Sequence, residues 1–187
     1  MTNGARDTYR HGNVRDAAIE AAVRIVETEG RAAFSVRRVA QDIGVTHRAL
    51  YRHFPDAESI LNEVAASAFR RMIDHLIDAK TASMLIERYV AFALDHPALY
   101  ALMMDRSRSQ IEGTPALRAA TQAMIALSLE KLAAPHQPKP DRQRRVLKIW
   151  MMLHGAIMLR ASGILRARNA ASLAAELRTM LSDDLAS

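Results

Sequence analysis

Between Phe34 and Phe54 the chain reads FSVRRVAQDIGVTHRALYRHF, two short helical patterns joined at a glycine. Few folds accommodate that segment. Two helices that cross steeply need a small residue where they meet, and Ala40 supplies it. Four residues later the backbone must turn sharply, with φ above zero, and Gly44 is free to do so. Val36, Val39, Ile43, Val45 and Leu50 flank the turn and anchor the second helix from below. Ser35 and Thr46 stand where each helix needs an N-cap. The outward positions of the second helix are then polar: Thr46, His47, Arg48, Tyr51 and Arg52.

The rest of the chain reads as helix as well. A helix is predicted from Val14 to Glu29, with Val14, Ala17, Ala18, Ala21, Ile25 and Val26 on one face and Gly30 as its stop. A fourth helix follows Asp56 as N-cap, with Glu58 in its first turn, and runs to about Asp78. Further helices are expected near 80–94, 96–104, 114–134, 141–163 and 169–185, about nine in all. Residues 106–113 read as a polar loop, and three prolines between Pro135 and Pro140 mark a break. Seven glycines and six prolines among 187 residues, with Ala, Leu, Arg and Met abundant, agree with an all-α chain.

Charge narrows the choice of partner. Twenty-six Lys and Arg face 20 Asp and Glu, a net charge of +6. From Arg31 to Pro55 five arginines (31, 37, 38, 48, 52) face one acid, Asp42, so most of the excess sits around the second helix. His47 and His53 add charge on acidification. Such a patch suits a polyanion and gives steeply salt-dependent affinity. Residues 1–10, with Arg6 and Arg10, read as a disordered arm.

Other classes are disfavoured. The chain has no cysteine, which excludes disulfides, thiolate zinc sites and cysteine nucleophiles. No His-Glu-x-x-His, phosphate loop or nucleophile with a base is present, and the seven histidines are scattered, so no enzyme, cofactor or metal is expected. No run of about 18 apolar residues exists, so no membrane span is expected. The N-terminus lacks a signal peptide's apolar middle. A soluble cytoplasmic protein is the default.

Val36 to Thr46, followed by Ala49-Leu50-Tyr51-Arg52-His53-Phe54, closely resembles the signature of the tetracycline-repressor (TetR) family, over about Val14 to Phe69. The resemblance implies an all-helical homodimer: a three-helix helix-turn-helix DNA-binding domain, residues 1–62, then a helical effector-binding and dimerisation domain, residues 63–187. It makes Ser35, Arg37, Thr46, His47, Arg48, Tyr51 and His53 candidate contacts to a double-stranded operator. Ser35 and Thr46 would meet phosphates at helix N-termini. Arg48 and His47 are placed for base edges, and Tyr51 and His53 for backbone positioning. The family often has a lysine where this chain has Ala57, so Arg52 or Arg10 is the candidate replacement for a missing phosphate contact.

Two later segments, His96 to Met104 and Trp150 to Gly155, resemble the C-terminal domain of the TetR subgroup named for its Trp-His-Gly residues. That implies a regulator answering to a small-molecule effector of unspecified identity, with repression the expected sense. Tyr100, Met103, Met104, Trp150, Met151 and His154 are the effector-binding candidates. Met124, Met152 and Met158 join them in an expected adaptable apolar interior. His154 could instead be satisfied internally, and Gly155 is expected to admit a close helix. In the family the last two helices form an intersubunit bundle, which makes Ile149, Leu153, Ile157, Ile164, Leu173, Leu177, Met180 and Leu181 dimer candidates. A DNA-binding architectural protein with no effector remains the alternative.

Overall fold

A computed structural model describes residues 14–132 and 138–185. The arm at residues 1–10 and part of the proline-rich break lie outside the described residues. Among the described residues every regular element is helical. In chain order they are α1 (Val14–Glu29), a 3-10 turn (Arg31–Ala33), α2 (Val36–Asp42), α3 (His47–Leu50), α4 (Ala57–Leu76), α5 (Ala82–Asp95), α6 (Pro97–Met104), α7 (Arg108–Gly113), α8 (Pro115–Leu132), α9 (Lys139–Ala161), α10 (Ala170–Met180) and α11 (Ser182–Leu185).

Helix α4 is the axis of the fold and packs against α1, α5, α6 and α8. Its apolar positions are nearly continuous: Ile60, Leu61, Val64, Ala65, Ala66 and Ala68 are fully buried. The three alanines let neighbouring helices come close on more than one side. Asp56 caps it, Oδ1 accepting from the Ser59 N–H at 2.7 Å. Because α4 packs against helices from both halves of the chain, the N-terminal helices and the C-terminal helices share one core.

The structure corrects five expectations. Residues 106–113 are not simply a loop: Ser107 caps α7, and the Gln110 side chain returns to the Ser107 N–H at 2.8 Å. That capping box forms a helix too short to carry an apolar stripe of its own. The expected 169–185 helix is divided, with α10 ending at Met180 and α11 following.

Most of the dimer candidates are used up inside the chain: Ile149, Leu153, Ile157, Leu173, Leu177 and Leu181 are buried in its own core. Ile164 and Met180 stay exposed, and α9 presents a different apolar stripe outward, Leu147, Met151, Met158 and Leu159. The methionine interior is smaller than expected, because Met103 and Met124 are buried while Met104, Met151 and Met158 reach solvent. Finally, a Cβ on Gly155 would meet nothing within 4 Å, so no helix of this chain approaches it closely.

Candidate nucleic-acid interface and effector cavity

Helix α2 begins where Ser35, in extended backbone (φ −150°, ψ 153°), accepts the Arg38 N–H on Oγ at 3.1 Å. It ends in a paired closure: the Val45 N–H donates to Ala40 O at 3.0 Å and the Gly44 N–H to Gln41 O at 3.2 Å. This Schellman arrangement requires a left-handed residue, and Gly44 has φ 70°. Nothing lies within 4 Å of where its Cβ would be, so backbone conformation, not space, selects glycine there. Thr46 starts α3 by accepting the Ala49 N–H at 3.2 Å. Leu50, fully buried in the common core, anchors α3, which packs against α2 and α1.

With the inner face anchored, the outer face is free. Ser35, Arg37, Thr46, His47, Arg48, Tyr51, Arg52 and His53 are all exposed. A groove of about 380 Å³ runs between the two helices, lined in part by Arg37, Thr46 and His47. Gln41 lines it too; sequence reading passed over this residue, although it falls one turn after Arg37 on the same face of α2. Tyr51, which could have been packed away, is 51% exposed and meets the His47 ring edge-on.

Ion pairing thins the positive patch. Arg38 donates to Asp42 at 3.2 Å and to Glu29 at 3.0 Å. Hydrogen bonding to Asp42, then the charge of Glu29, raise its pKa above the ordinary guanidinium value. Arg31 pairs with Glu58 at 2.8 Å. Among the described residues no acid pairs with Arg37, Arg48 or Arg52, so these three carry the unneutralised charge. Ala57 occupies the first position of α4, after Asp56.

Two polar joints tie α1 and the helix-turn-helix to the C-terminal helices. In one, Glu27 of α1 meets His96 Nδ1 at 2.5 Å and Arg71 at 3.3 Å. In the other, Glu58 accepts from Arg31, from Arg106 at 2.8 Å and from Gln110 at 3.2 Å. The Arg106 side chain is only 3% exposed and also reaches Asn62 at 3.2 Å. Asn62 in turn donates to Thr114 at 3.1 Å.

A cavity of about 400 Å³ lies in the C-terminal half. Met103, Met104, Trp150, Met151 and His154 line it, and so do Phe69, Met72 and Tyr89, which sequence reading did not single out because long-range packing alone gathers them. Tyr100 is not in the wall. It stands behind, buried, its hydroxyl 3.1 Å from His154 Nδ1 and 3.2 Å from the Tyr89 hydroxyl. Among the described residues no three acids or histidines gather as a metal site would require, and no helix is long and apolar enough to cross a membrane.

Comparison with known proteins gives this arrangement a context. Residues 18–64 match the model of bacterial regulatory proteins of the tetR family, and residues 82–183 match that of the tetracyclin repressor-like C-terminal domain. The nucleoid occlusion factor SlmA of Aliivibrio fischeri is 32% identical over 116 residues, 54% of this chain and 59% of that protein. The chain therefore matches about three fifths of that relative's length. An uncharacterized HTH-type transcriptional regulator of Mycobacterium tuberculosis is 23% identical over 81% of this chain and 72% of its own. Among solved structures, a Rhodococcus sp. RHA1 protein of unknown function superposes with a TM-score of 0.76 at 25% identity, covering 97% of this chain and all of that one. A TetR transcriptional regulator from the same organism superposes at 0.63 with 19% identity, over 92% of this chain and 97% of its own, and shows the shared fold.

Proposed function

The chain belongs to the tetR family of bacterial regulatory proteins, and from that premise we propose that it is a dimeric transcriptional repressor that binds a palindromic operator and leaves it when a small molecule fills the C-terminal cavity. The observation that carries this reading is the exposed character of the α2–α3 segment: three unpaired arginines, two histidines and two hydroxyl-bearing N-caps are open to solvent around a fully buried Leu50, and Arg37, Thr46 and His47 share one groove. Such a face fits the major groove, where Arg48 would read guanine O6 and N7. Ser35 and Thr46 would hold phosphates. Arg52 would replace the phosphate contact that Ala57 cannot make. Residues 1–62 form the DNA-binding part and residues 63–187 the regulatory part, as in the Trp-His-Gly subgroup. Operator binding places the protein with the DNA, in the cytoplasm.

The exposed stripe Leu147, Met151, Met158 and Leu159 on α9, with Ile164 and Met180 also exposed, supports a two-fold interface. Gly155 falls within that stripe and leaves room for a partner's helix. Two recognition helices related by such an axis would reach successive major grooves, about 34–36 Å apart.

The route from cavity to DNA runs through the α6–α7 corner. Met104 and Ile111 line the cavity, while Arg106 and Gln110 beside them hold Glu58, which holds Arg31 next to α2. An effector acts by preferring one arrangement of this corner. Shifting the population from 1:99 to 99:1 takes about 5.5 kcal/mol of differential binding.

The test is selection of bound sequences from random duplexes. One enriched inverted repeat supports the reading, and uniform recovery of all duplexes overturns it. A second reading, DNA binding without an effector, draws on the relative named for nucleoid occlusion rather than transcription. Uniform coverage in footprinting would favour it.

A further inference from the structure

The walls of the C-terminal cavity state what it can hold. Among the described residues no lysine, arginine, aspartate or glutamate lines it. A carboxylate, phosphate or ammonium moved there would lose its hydration and find no counter-charge, which is costly. Methionines dominate, and Trp150, Phe69 and Tyr89 add aromatic faces. Flexible thioethers adapt to the outline of an apolar body, and the volume is near the lower end of small-molecule sites, roughly 300–1,000 Å³.

Thr121 also lines the cavity, but its hydroxyl is spent on the Leu117 and Arg118 carbonyls of its own helix, which leaves one polar feature to meet a ligand. His154 Nδ1 is engaged by the Tyr100 hydroxyl, which also meets the Tyr89 hydroxyl. His154 and Tyr89, the two ends of this three-residue chain, both line the cavity. If Tyr89 donates to Tyr100 and Tyr100 to Nδ1, the imidazole carries its proton on Nε2 and offers a donor. If the sequence reverses, Nε2 becomes an acceptor and the Tyr89 O–H the donor. Burial holds both tyrosines above the ordinary phenol pKa, so both stay protonated and the chain bears no phenolate charge.

Resting on the effector reading above, we propose that the cavity takes an uncharged, mainly apolar molecule with a single hydroxyl or carbonyl oxygen, seated against the Tyr89–Tyr100–His154 chain. The apolar body fills the methionine-rich volume. The oxygen meets His154 Nε2, and the chain adjusts its direction to a donor or an acceptor.

The experiment uses four probes on one carbon skeleton: p-menthane, menthol, menthone and menthane-3-carboxylate. Trp150 is the chain's single tryptophan and lines the cavity, so its emission reports occupancy in the full chain. Menthol and menthone are expected to bind, p-menthane roughly three- to tenfold more weakly for want of one neutral hydrogen bond. The carboxylate at neutral pH is expected to bind roughly a hundredfold more weakly or worse. In His154→Phe, p-menthane affinity should hold within roughly twofold while the preference for menthol disappears. Tyr89→Phe serves as the second variant, and circular dichroism checks that each variant keeps its helix content. The proposal is overturned if menthol and menthone fail to bind, if the carboxylate binds as tightly as menthol, or if the preference survives in folded His154→Phe. A gel shift on a selected duplex separates this from the regulator reading. Probes that fill the cavity and leave the duplex bound remove the effector role alone. Failure to select any duplex removes the regulator reading and leaves the cavity assignment standing.

Discussion

Breaking the Glu58–Arg106 pair from its two ends should give unequal losses of stability. The two partners differ in solvation: the Arg106 side chain is 3% exposed and that of Glu58 47%. Glu58→Gln leaves a buried guanidinium without its main anion. A stranded buried charge costs about 3–5 kcal/mol, and because Asn62 and Asp105 still accept from Arg106, the lower figure, about 3 kcal/mol, applies. Arg106→Met removes the charge altogether. Glu58 then keeps Arg31 and Gln110 and is rewatered, and the Arg106 Nε, which has no partner, disappears with its desolvation cost. That loss should be about 1 kcal/mol, a surface-like ion pair plus imperfect repacking. The double variant should resemble Arg106→Met, a coupling of about 3 kcal/mol. At 2–4 °C per kcal/mol for a chain of this size, Glu58→Gln should lower Tm by roughly 6–12 °C and Arg106→Met by roughly 2–4 °C. Thermal denaturation at one fixed protein concentration reads both. If Arg106→Met is as damaging as Glu58→Gln, the burial-based reasoning is wrong.

Other outcomes follow from the same structure. Arg48→Ala should weaken binding to a selected operator by about 1–3 kcal/mol and relax base preference, whereas Arg37→Ala should weaken all duplexes alike and lower the salt slope by about one. Equilibrium titrations at several salt concentrations distinguish them. Leu147→Glu combined with Met158→Glu should yield a folded monomer in sedimentation equilibrium, since both side chains are exposed in the single chain; an unchanged oligomer would move the interface elsewhere. Tyr89 and Tyr100 have pKa values raised by burial. In the unfolded chain they lose protons near pH 10 and in the folded chain above it, so their contribution is intact below pH 10. It falls by about 1.4 kcal/mol per tyrosine per pH unit above it. Spectrophotometric titration of the native protein should leave these two of the four tyrosines un-ionised at pH 10 to 11.

Local signals were legible in the sequence and distant ones were not. Ser35, Thr46 and Asp56 cap their helices as read, because a cap is decided within four residues. Gly44 likewise follows from one turn's geometry. The Ser107–Gln110 box was equally local, but six residues without an apolar stripe read as loop. Helix α9 shows a different limit. It carries two apolar faces, Val146-Ile149-Leu153-Ile157 inward and Leu147-Met151-Met158 outward, and periodicity alone does not say which is inside. Arg106 was unreadable as a joint because its partner Glu58 lies 48 residues away. The patch of five arginines lost two to Glu58, Glu29 and Asp42 for a related reason, since two of those acids lie outside the segment counted. Among the cavity residues, Tyr100 shares a chemical unit with His154 without touching the open volume, a distinction only coordinates make.

The central claim is that the surface from Thr46 to Arg52 reads the major groove. Methylation of guanine N7 on a selected duplex, followed by separation of bound from free DNA, tests it at the atom concerned. Interference is expected at guanines in two clusters about 34–36 Å apart, lost at the guanine that Arg48 contacts when the arginine is replaced by alanine. Interference spread evenly along the duplex, or a pattern that Arg48→Ala leaves untouched, would contradict it.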